Sequence, residues 1–394
     1  MKSNFLIFII VLLIASIAGI TSDIYAPSLP AISNSLSTPI NSVQWSMAIY
    51  MLGLAISQLI YGPLSEVVGR KLSVILGLLI LLIGSGICYF SNNIDMLILG
   101  RLIQGCGAGA AAALWRSIFR DVFSGEKLAK YGSHLSVFMV FVVPAAPAIG
   151  GYLQEHFNWR ASFLFLCLYT LAILLLIIIA FKETSQHHHK SRLKISFILN
   201  TYAQLIKCRV FMGYSLCSFL SFGAFFSWFA VGPVLLIKVL GYSPIAFGWM
   251  SSLTLCGTMA IGSFLNGKLV EKFKLYIMLR FGWSLTFLAG AVMLLTQWLI
   301  GMNVYIIVGS ISIFYLGSTF IFANTFAGAF AKCGKIAGFA GALYGALQIA
   351  GASALGGLVS YLPDNNQTPL ACVYLGCSAL AWIIYKKVVR PAEQ

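Results

Sequence analysis

Continuous runs of about 20 apolar residues, the length that spans the hydrocarbon of a bilayer, follow one another from one end of this chain to the other. Inside a bilayer each backbone N–H and C=O must be satisfied by the chain itself, so only helices and closed barrels can cross. These runs lack the alternation of ten-residue barrel strands, so helices are expected. Of 394 residues 60% are hydrophobic and 9% charged, against about 25% charged in soluble domains. The chain reads as an all-α membrane protein. Residues 5–20 lead straight into Asp23 without a small-residue cleavage site, and read as a first span rather than a signal peptide.

Twelve spans are expected, over about residues 5–32, 43–62, 72–90, 95–117, 131–153, 161–181, 210–237, 244–266, 275–295, 299–326, 336–361 and 368–386. The one long polar interruption, residues 182–209, holds three consecutive histidines and six Lys or Arg. It divides the chain into a six-helix bundle over 1–181, a linker over 182–209 and a second six-helix bundle over 210–394. With the N-terminus and the even-numbered turns inside, cytoplasmic segments carry 22 of the 25 Lys and Arg, so both termini are expected in the cytoplasm. Arg160 and Lys238 fit short outer loops, and Arg101 falls within span 4. The net charge of +15 thus describes insertion and contact with anionic headgroups, and gives no support to nucleic-acid binding.

Asp23 lies in TSDIYAPSLP, residues 21–30, at the end of the first apolar run. A carboxylate near the centre of a membrane helix costs roughly 2.5 to 3.5 kcal/mol, so it is a functional candidate by default. Pro27 and Pro30 disturb the helix just after it. Burial raises the pKa of such an acid and a nearby cation lowers it, a balance suited to proton exchange. Arg101, six residues inward from Asp95, is the obvious cation, and Gln104 lies one turn further on the same face. The working site is Asp23, Arg101 and Gln104, with protonation of Asp23 weakening its pair with Arg101 and releasing substrate. Asn324 and Gln348 would add polar contacts from the other half. The competing readings are an Asp and an Arg that snorkel to the headgroups, and amides that bond neighbouring helices.

GPLSEVVGRK, residues 62–71, joins spans 2 and 3, and GKLVEKFKLY, residues 267–276, joins spans 8 and 9. They share a Gly, a Leu two residues on and a Glu four on, at an offset near half the chain. Internal repeats of this kind build many secondary transporters, with the substrate site near the midplane between the halves. The first copy reads as a gate: Gly62 and Gly69 permit tight turns, Glu66 and Arg70 are four apart, and Arg70 with Lys71 would pair with Asp121 or Glu126 when the inside is closed. Pro144, Pro147, Gly150 and Gly151 in span 5 read either as a bend closing one route across the membrane or as ordinary small-residue packing.

Five stretches resemble the twelve-helix drug:proton antiporters of the major facilitator superfamily, and most closely the Bcr/CflA drug-resistance family. SDIYAPSLP resembles the family's motif in helix 1, and Tyr25 belongs to it. YGPLSEVVGRK resembles the signature loop, with Glu66 where Asp is more usual. GRLIQGCGAGAAAALWRSIFRD resembles the motif in helix 4, VPAAPAIGGYL the antiporter motif in helix 5, and GFAGALYGALQIAGASALGG the small-residue helix 11. The second copy of the loop departs, with Lys274 in place of its second Gly. The resemblance implies the major facilitator fold, two pseudo-symmetric six-helix bundles in a bacterial inner membrane, with Asp23 and Arg101 coupling protons and Asp23, Tyr25, Arg101 and Gln104 meeting substrate, to which the residue reading adds Asn324 and Gln348.

The expected function is proton-driven export of small amphipathic drugs or toxic compounds by alternating access. The alternative is the same fold carrying an endogenous metabolite or siderophore in either direction. An intramembrane enzyme is disfavoured because no catalytic constellation stands in a span, and a channel would show no proton coupling. No cofactor is expected, the proton gradient supplying the energy, since nothing resembles a nucleotide-binding GxxxxGK[ST] loop. Partners are a small-molecule substrate, protons and the bilayer, with a monomer expected. The nine scattered cysteines read as small buried hydrophobes. His187, His188 and His189 read as part of a solvated linker, with a metal site as the other possibility.

Overall fold

Prolines shape several of the spans in the computed structural model, which describes residues 2–184, 195–331, 337–363 and 365–393. Among the described residues twelve helices are long and apolar enough to cross a membrane. In order these are spans 1 (Phe5–Ser35), 2 (Ile40–Val68), 3 (Arg70–Tyr89), 4 (Ile94–Val122), 5 (Gly125–His156), 6 (Arg160–Ala180), 7 (Arg209–Val239), 8 (Pro244–Val270), 9 (Leu275–Ile300), 10 (Val304–Phe330), 11 (Gly338–Ser360) and 12 (Thr368–Ala392). Among the described residues there is no strand.

A proline lacks an N–H, and its ring collides with the carbonyl four residues back. For Pro27 that carbonyl is Asp23, where the first helical segment of span 1 stops; a 3₁₀ turn, Ala26–Ser28, and a second helix, Leu29–Ser35, follow. Span 5 stops at Val142 and resumes at Ala146 around Pro144, and the Val140 carbonyl, four residues before that proline, accepts from Cys256 Sγ of span 8 at 3.1 Å. After Pro233, span 7 passes into a π-helical turn, Val234–Val239. Pro63 leaves span 2 continuous, and the Leu59 carbonyl that it strands accepts from the Tyr202 hydroxyl at 3.2 Å. Backbone freed at membrane depth is tolerated because side chains of neighbouring helices take it up.

Several boundaries differ from the sequence reading. Spans 2 and 4 run on to Val68 and Val122, past the expected ends near 62 and 117, because Glu66 and Arg120 can sit in an interfacial turn without interrupting the helical bonds. Gly301, at φ 77°, ends span 9 at Ile300, and the Asn303 side chain accepts from Tyr305 N, so span 10 starts at Val304 rather than near 299. The linker holds a helix that the reading of 182–209 as a polar interruption missed, Ile195–Lys207. Its Ile198, Tyr202 and Leu205, spaced at i, i+4 and i+7, pack with Val210, Phe211 and Phe339. His187, His188 and His189 lie outside the described residues, as do Lys190, Arg192, Lys194, Lys332 and Lys335.

Lipid tails are as apolar as the helices, so association depends on close backbone approach at small residues. In span 4 Gly105 lies on the Tyr50 carbonyl of span 2, and Gly107 lies on the backbone of Gly77 and Leu81 of span 3. Gly351 of span 11 lies on the Phe219 carbonyl of span 7 in the same way. Large apolar side chains such as Ile83, Ile179, Trp298 and Leu299 point outward, as a lipid-facing rim requires.

Candidate functional site

The break in span 1 leaves carbonyls without helical donors, and span 4 brings an arginine to them. Arg101 is 0% exposed; one terminal nitrogen donates to the Thr21 carbonyl at 3.0 Å and to Gln104 Oε1 at 2.9 Å. Its guanidinium carbon lies 4.5 Å from the centroid of the Tyr25 ring and 4.2 Å from that of Tyr50. Gln104 Nε2 donates to Ser85 Oγ at 2.8 Å, and the Tyr50 hydroxyl to the Ala18 carbonyl at 2.9 Å. Tyr25 shares a hydrogen bond with Ser46. Asp23, 6% exposed, accepts from the Ser22 hydroxyl.

Asp23, Tyr25, Arg101 and Gln104 therefore meet in one enclosed cluster. The expected direct pair is absent: no ion pair joins Asp23 to Arg101, whose Nε and second terminal nitrogen have no partner. The reason is local, since the guanidinium is held by the Thr21 carbonyl and by Gln104 while the carboxylate is held by Ser22. Asp23 and Arg101 still act on each other through space. Ser22, Tyr50 and Ser85 were missed by sequence reasoning; hydroxyls in apolar helices carry no spacing signal.

The second half presents an aromatic wall to this cluster. Tyr315 of span 10 is buried with an unpartnered hydroxyl, and the charge of Asp23 acts on it. Phe225 lies 4.7 Å from Tyr315, ring centre to ring centre, with Phe222 and Phe322 next to it. Phe226, Trp228 and Phe229 are buried in the core.

Asn324 does not join either group. Its amide donates to Asn266 Oδ1 of span 8 and to the Phe320 carbonyl, both at 2.8 Å, so it ties span 10 to span 8. Gln348 lines a separate cavity of about 560 Å³ between the ends of spans 2, 4, 10 and 11, together with Gln58, Gly62, Glu66, Arg70, Arg116 and Tyr344. This end, rich in arginine, is called the basic side below. Gln58 is eight residues from Tyr50 on span 2, about 12 Å along the helix.

On the basic side Arg70 pairs with Asp121 at 3.2 Å and also donates to Ser65. Arg70 and Asp121 belong to adjoining spans, 3 and 4, and their pair coexists with the cavity. The pair joins neighbours within one half, which movement of the two halves against each other need not separate. Glu126 makes no ion pair among the described residues. The carboxylate of Glu183, another residue missed by the sequence reading, accepts from the backbone N–H of Arg70 at 2.9 Å and of Lys71 at 3.0 Å, neutralising the start of span 3. Gly69, at φ 98°, has that carboxylate where a Cβ would stand, so the position needs glycine. At the corresponding turn Lys274 has φ −65°, which any residue adopts, and this explains the departure of the second copy.

On the opposite side the halves meet closely. Gly151 lies on the Pro244 carbonyl and Gly248 on that of Pro147, while Gly150 packs within the first half, on the Ile24 carbonyl of span 1. Ser252 Oγ accepts from Ala148 N at 3.1 Å, Glu155 accepts from Ile245 N at 3.1 Å, and Gln44 donates to the Ala230 carbonyl at 2.9 Å. Pro144 supplies the bend that brings Pro147, Gly150 and Gly151 to these contacts.

Residues 11–359 match the family model described as Major Facilitator Superfamily. Similar curated proteins include a bicyclomycin resistance protein homolog of Haemophilus influenzae, 26% identical over 98% of this chain and 96% of that protein. An uncharacterized MFS-type transporter, YdgK of Bacillus subtilis, is 32% identical over 90% of this chain and 88% of its own length. Multidrug resistance protein D of Escherichia coli is 28% identical over 94% and 92%. Among solved structures, the partially occluded inward-open xylose transporter XylE of Escherichia coli covers 99% of this chain and 98% of its own with a TM-score of 0.74, and at 16% identity it shows a common fold.

Proposed function

This chain belongs to the Major Facilitator Superfamily, and from that premise we propose that it is a proton-coupled antiporter exporting small amphipathic drugs or toxic compounds. It is a multi-pass membrane transporter of small molecules and not an enzyme. The drug-resistance relatives match nearly its whole length, which supports efflux as the direction. The observation that carries the coupling is the enclosed cluster in which Asp23 and Arg101 are both buried without a direct ion pair. An acid held apart from its cation can change protonation without first breaking a strong bond, and each protonation alters the field that Arg101, Tyr25 and substrate experience.

In this reading the two six-helix halves, 1–181 and 210–394, rock about the Asp23 cluster, with the linker between them. The basic side is cytoplasmic, both termini lie there, and the monomer works in a bacterial inner membrane without a cofactor. The cavity receives substrate from the inside, and the contacts of Gly151 and Gly248 close the outer route. A proton moving down about 100 mV yields about 2.3 kcal/mol, enough for roughly a fifty-fold gradient of neutral substrate.

The test uses everted vesicles energised to an acid interior, with a dye reporting lumenal pH as drugs are added. Wild type is expected to release lumenal protons on addition of substrate and Asp23→Asn is not. Equal release by the variant would remove Asp23 from coupling, and silence of wild type towards every drug would favour a metabolite carrier.

A further inference from the structure

Arg116 and Arg120 stand one turn apart on span 4, both exposed and both lining the cavity on the basic side. Neither makes an ion pair among the described residues. Arg70, the third arginine of the lining, is committed to Asp121. The only carboxylate among the described lining residues, Glu66, lies near Tyr202, on the wall formed by span 2 and the linker helix. Positive-inside bias accounts for cations that reach outward to headgroups. It does not account for two that face into a cavity between the halves, where like charges four residues apart repel.

The rest of the lining is apolar and aromatic. Trp115 stacks on the guanidinium of Arg116 at 4.3 Å, and Phe326, Phe330, Phe339 and Tyr344 come from the second half. Arg116 lies near both Arg120 and the phenol of Tyr344, so its head faces the gap between spans 4 and 11. A cavity of about 560 Å³ is of the size that encloses one small molecule. Two unpaired guanidiniums and an aromatic wall recognise a planar or aromatic body carrying a carboxylate, sulfonate or phosphate, which arginine binds in a bidentate manner.

We infer that this cavity is an entry site selective for amphipathic anions, with Arg116 and Arg120 holding the acidic group and the aromatic wall holding the apolar body. The inference rests on the transporter reading and narrows its substrate class. It does not depend on Asp23, and the binding is measured without a proton gradient, so a failure of coupling and a failure of this site give separate results.

The full chain in nanodiscs of zwitterionic lipid is titrated calorimetrically with 2-naphthalenesulfonate and with the neutral 2-naphthalenesulfonamide. The sulfonate is expected to bind at least about ten-fold more tightly, as one charge-assisted contact provides. Arg116→Gln with Arg120→Gln should abolish that preference, and Arg116→Lys with Arg120→Lys should retain part of it. If the glutamine variant fails to fold, raising the salt on wild type must weaken the sulfonate and spare the sulfonamide. Equal affinities for the two probes, or an undiminished preference in a folded glutamine variant, would overturn the site. Displacement of the sulfonate by phosphatidylglycerol added to the discs would give the arginines to a lipid headgroup and overturn the entry role.

Discussion

Arg101 donates to the carbonyl of Thr21, 3.0 Å away, and makes no ion pair with the carboxylate of Asp23 two residues further on. The carbonyl is open to it because the helix of span 1 ends at Asp23. The break in one span and the cation of another are thus one feature, and it leaves the carboxylate to Ser22.

Arg101→Lys should insert and fold but lose most transport. A lysine cannot bridge Thr21 and Gln104 while lying between the Tyr25 and Tyr50 rings, each stacking contact being worth about 0.5 to 2 kcal/mol. Initial transport rates in vesicles check this, and wild-type rates in the lysine variant would show that a point charge suffices.

Gly151→Leu should weaken closure on the side away from the cavity. Its side chain would meet the Pro244 carbonyl of span 8, and overpacking of this kind costs about 1 to 3 kcal/mol. Lower thermal stability in nanodiscs, with increased labelling of a cysteine introduced at the outer end of span 8, is the expected result. An unchanged melting temperature would reduce Gly151 to loose packing.

Asn324→Ala should cost about 0.6 kcal/mol and at most about 1.7, the range for interhelical hydrogen bonds in membranes, and should leave KM for exported compounds unchanged. Gln348→Ala should do the reverse, because Gln348 lines the cavity. Unfolding in parallel with transport kinetics separates the two.

Tyr202→Phe should lower stability by about 1 kcal/mol through loss of the bond to Leu59. The Tyr202 phenol is pushed up to about 12, first by burial and then by Glu66. Its folded pKa exceeds the ordinary phenol value of 10.0, so its contribution is fully present below pH 10 and is lost as pH rises through 12. Melting curves across this window should fall more steeply for wild type than for Tyr202→Phe; equal slopes would refute the assignment.

Glu183→Gln should destabilise by about 0.3 to 1 kcal/mol, since a carboxylate at a helix N-terminus is favoured by the helix dipole. The effect should shrink with added salt. Denaturant titration at two ionic strengths checks both.

Apolar runs of membrane-spanning length and the near absence of charge were sufficient to specify twelve helices, because a bilayer leaves the backbone no other way to satisfy its hydrogen bonds. Pro27 and Pro144 marked their breaks in the same way, through a missing N–H. The amphipathic helix Ile195–Lys207 was legible in the spacing of Ile198, Tyr202 and Leu205, but the basic composition around it obscured that stripe. What fills each vacated hydrogen bond was decided only by tertiary structure. Cys256 on Val140, Tyr202 on Leu59 and Arg101 on Thr21 join residues 116, 143 and 80 positions apart. The same holds for Asn324, whose amide found Asn266 instead of the cavity, and for Arg116 and Arg120, whose inward direction depends on how span 4 packs. Sequence periodicity reports which face of a helix is apolar, whereas the partner that a polar group meets depends on the packing of distant helices, for which local spacing carries no signal.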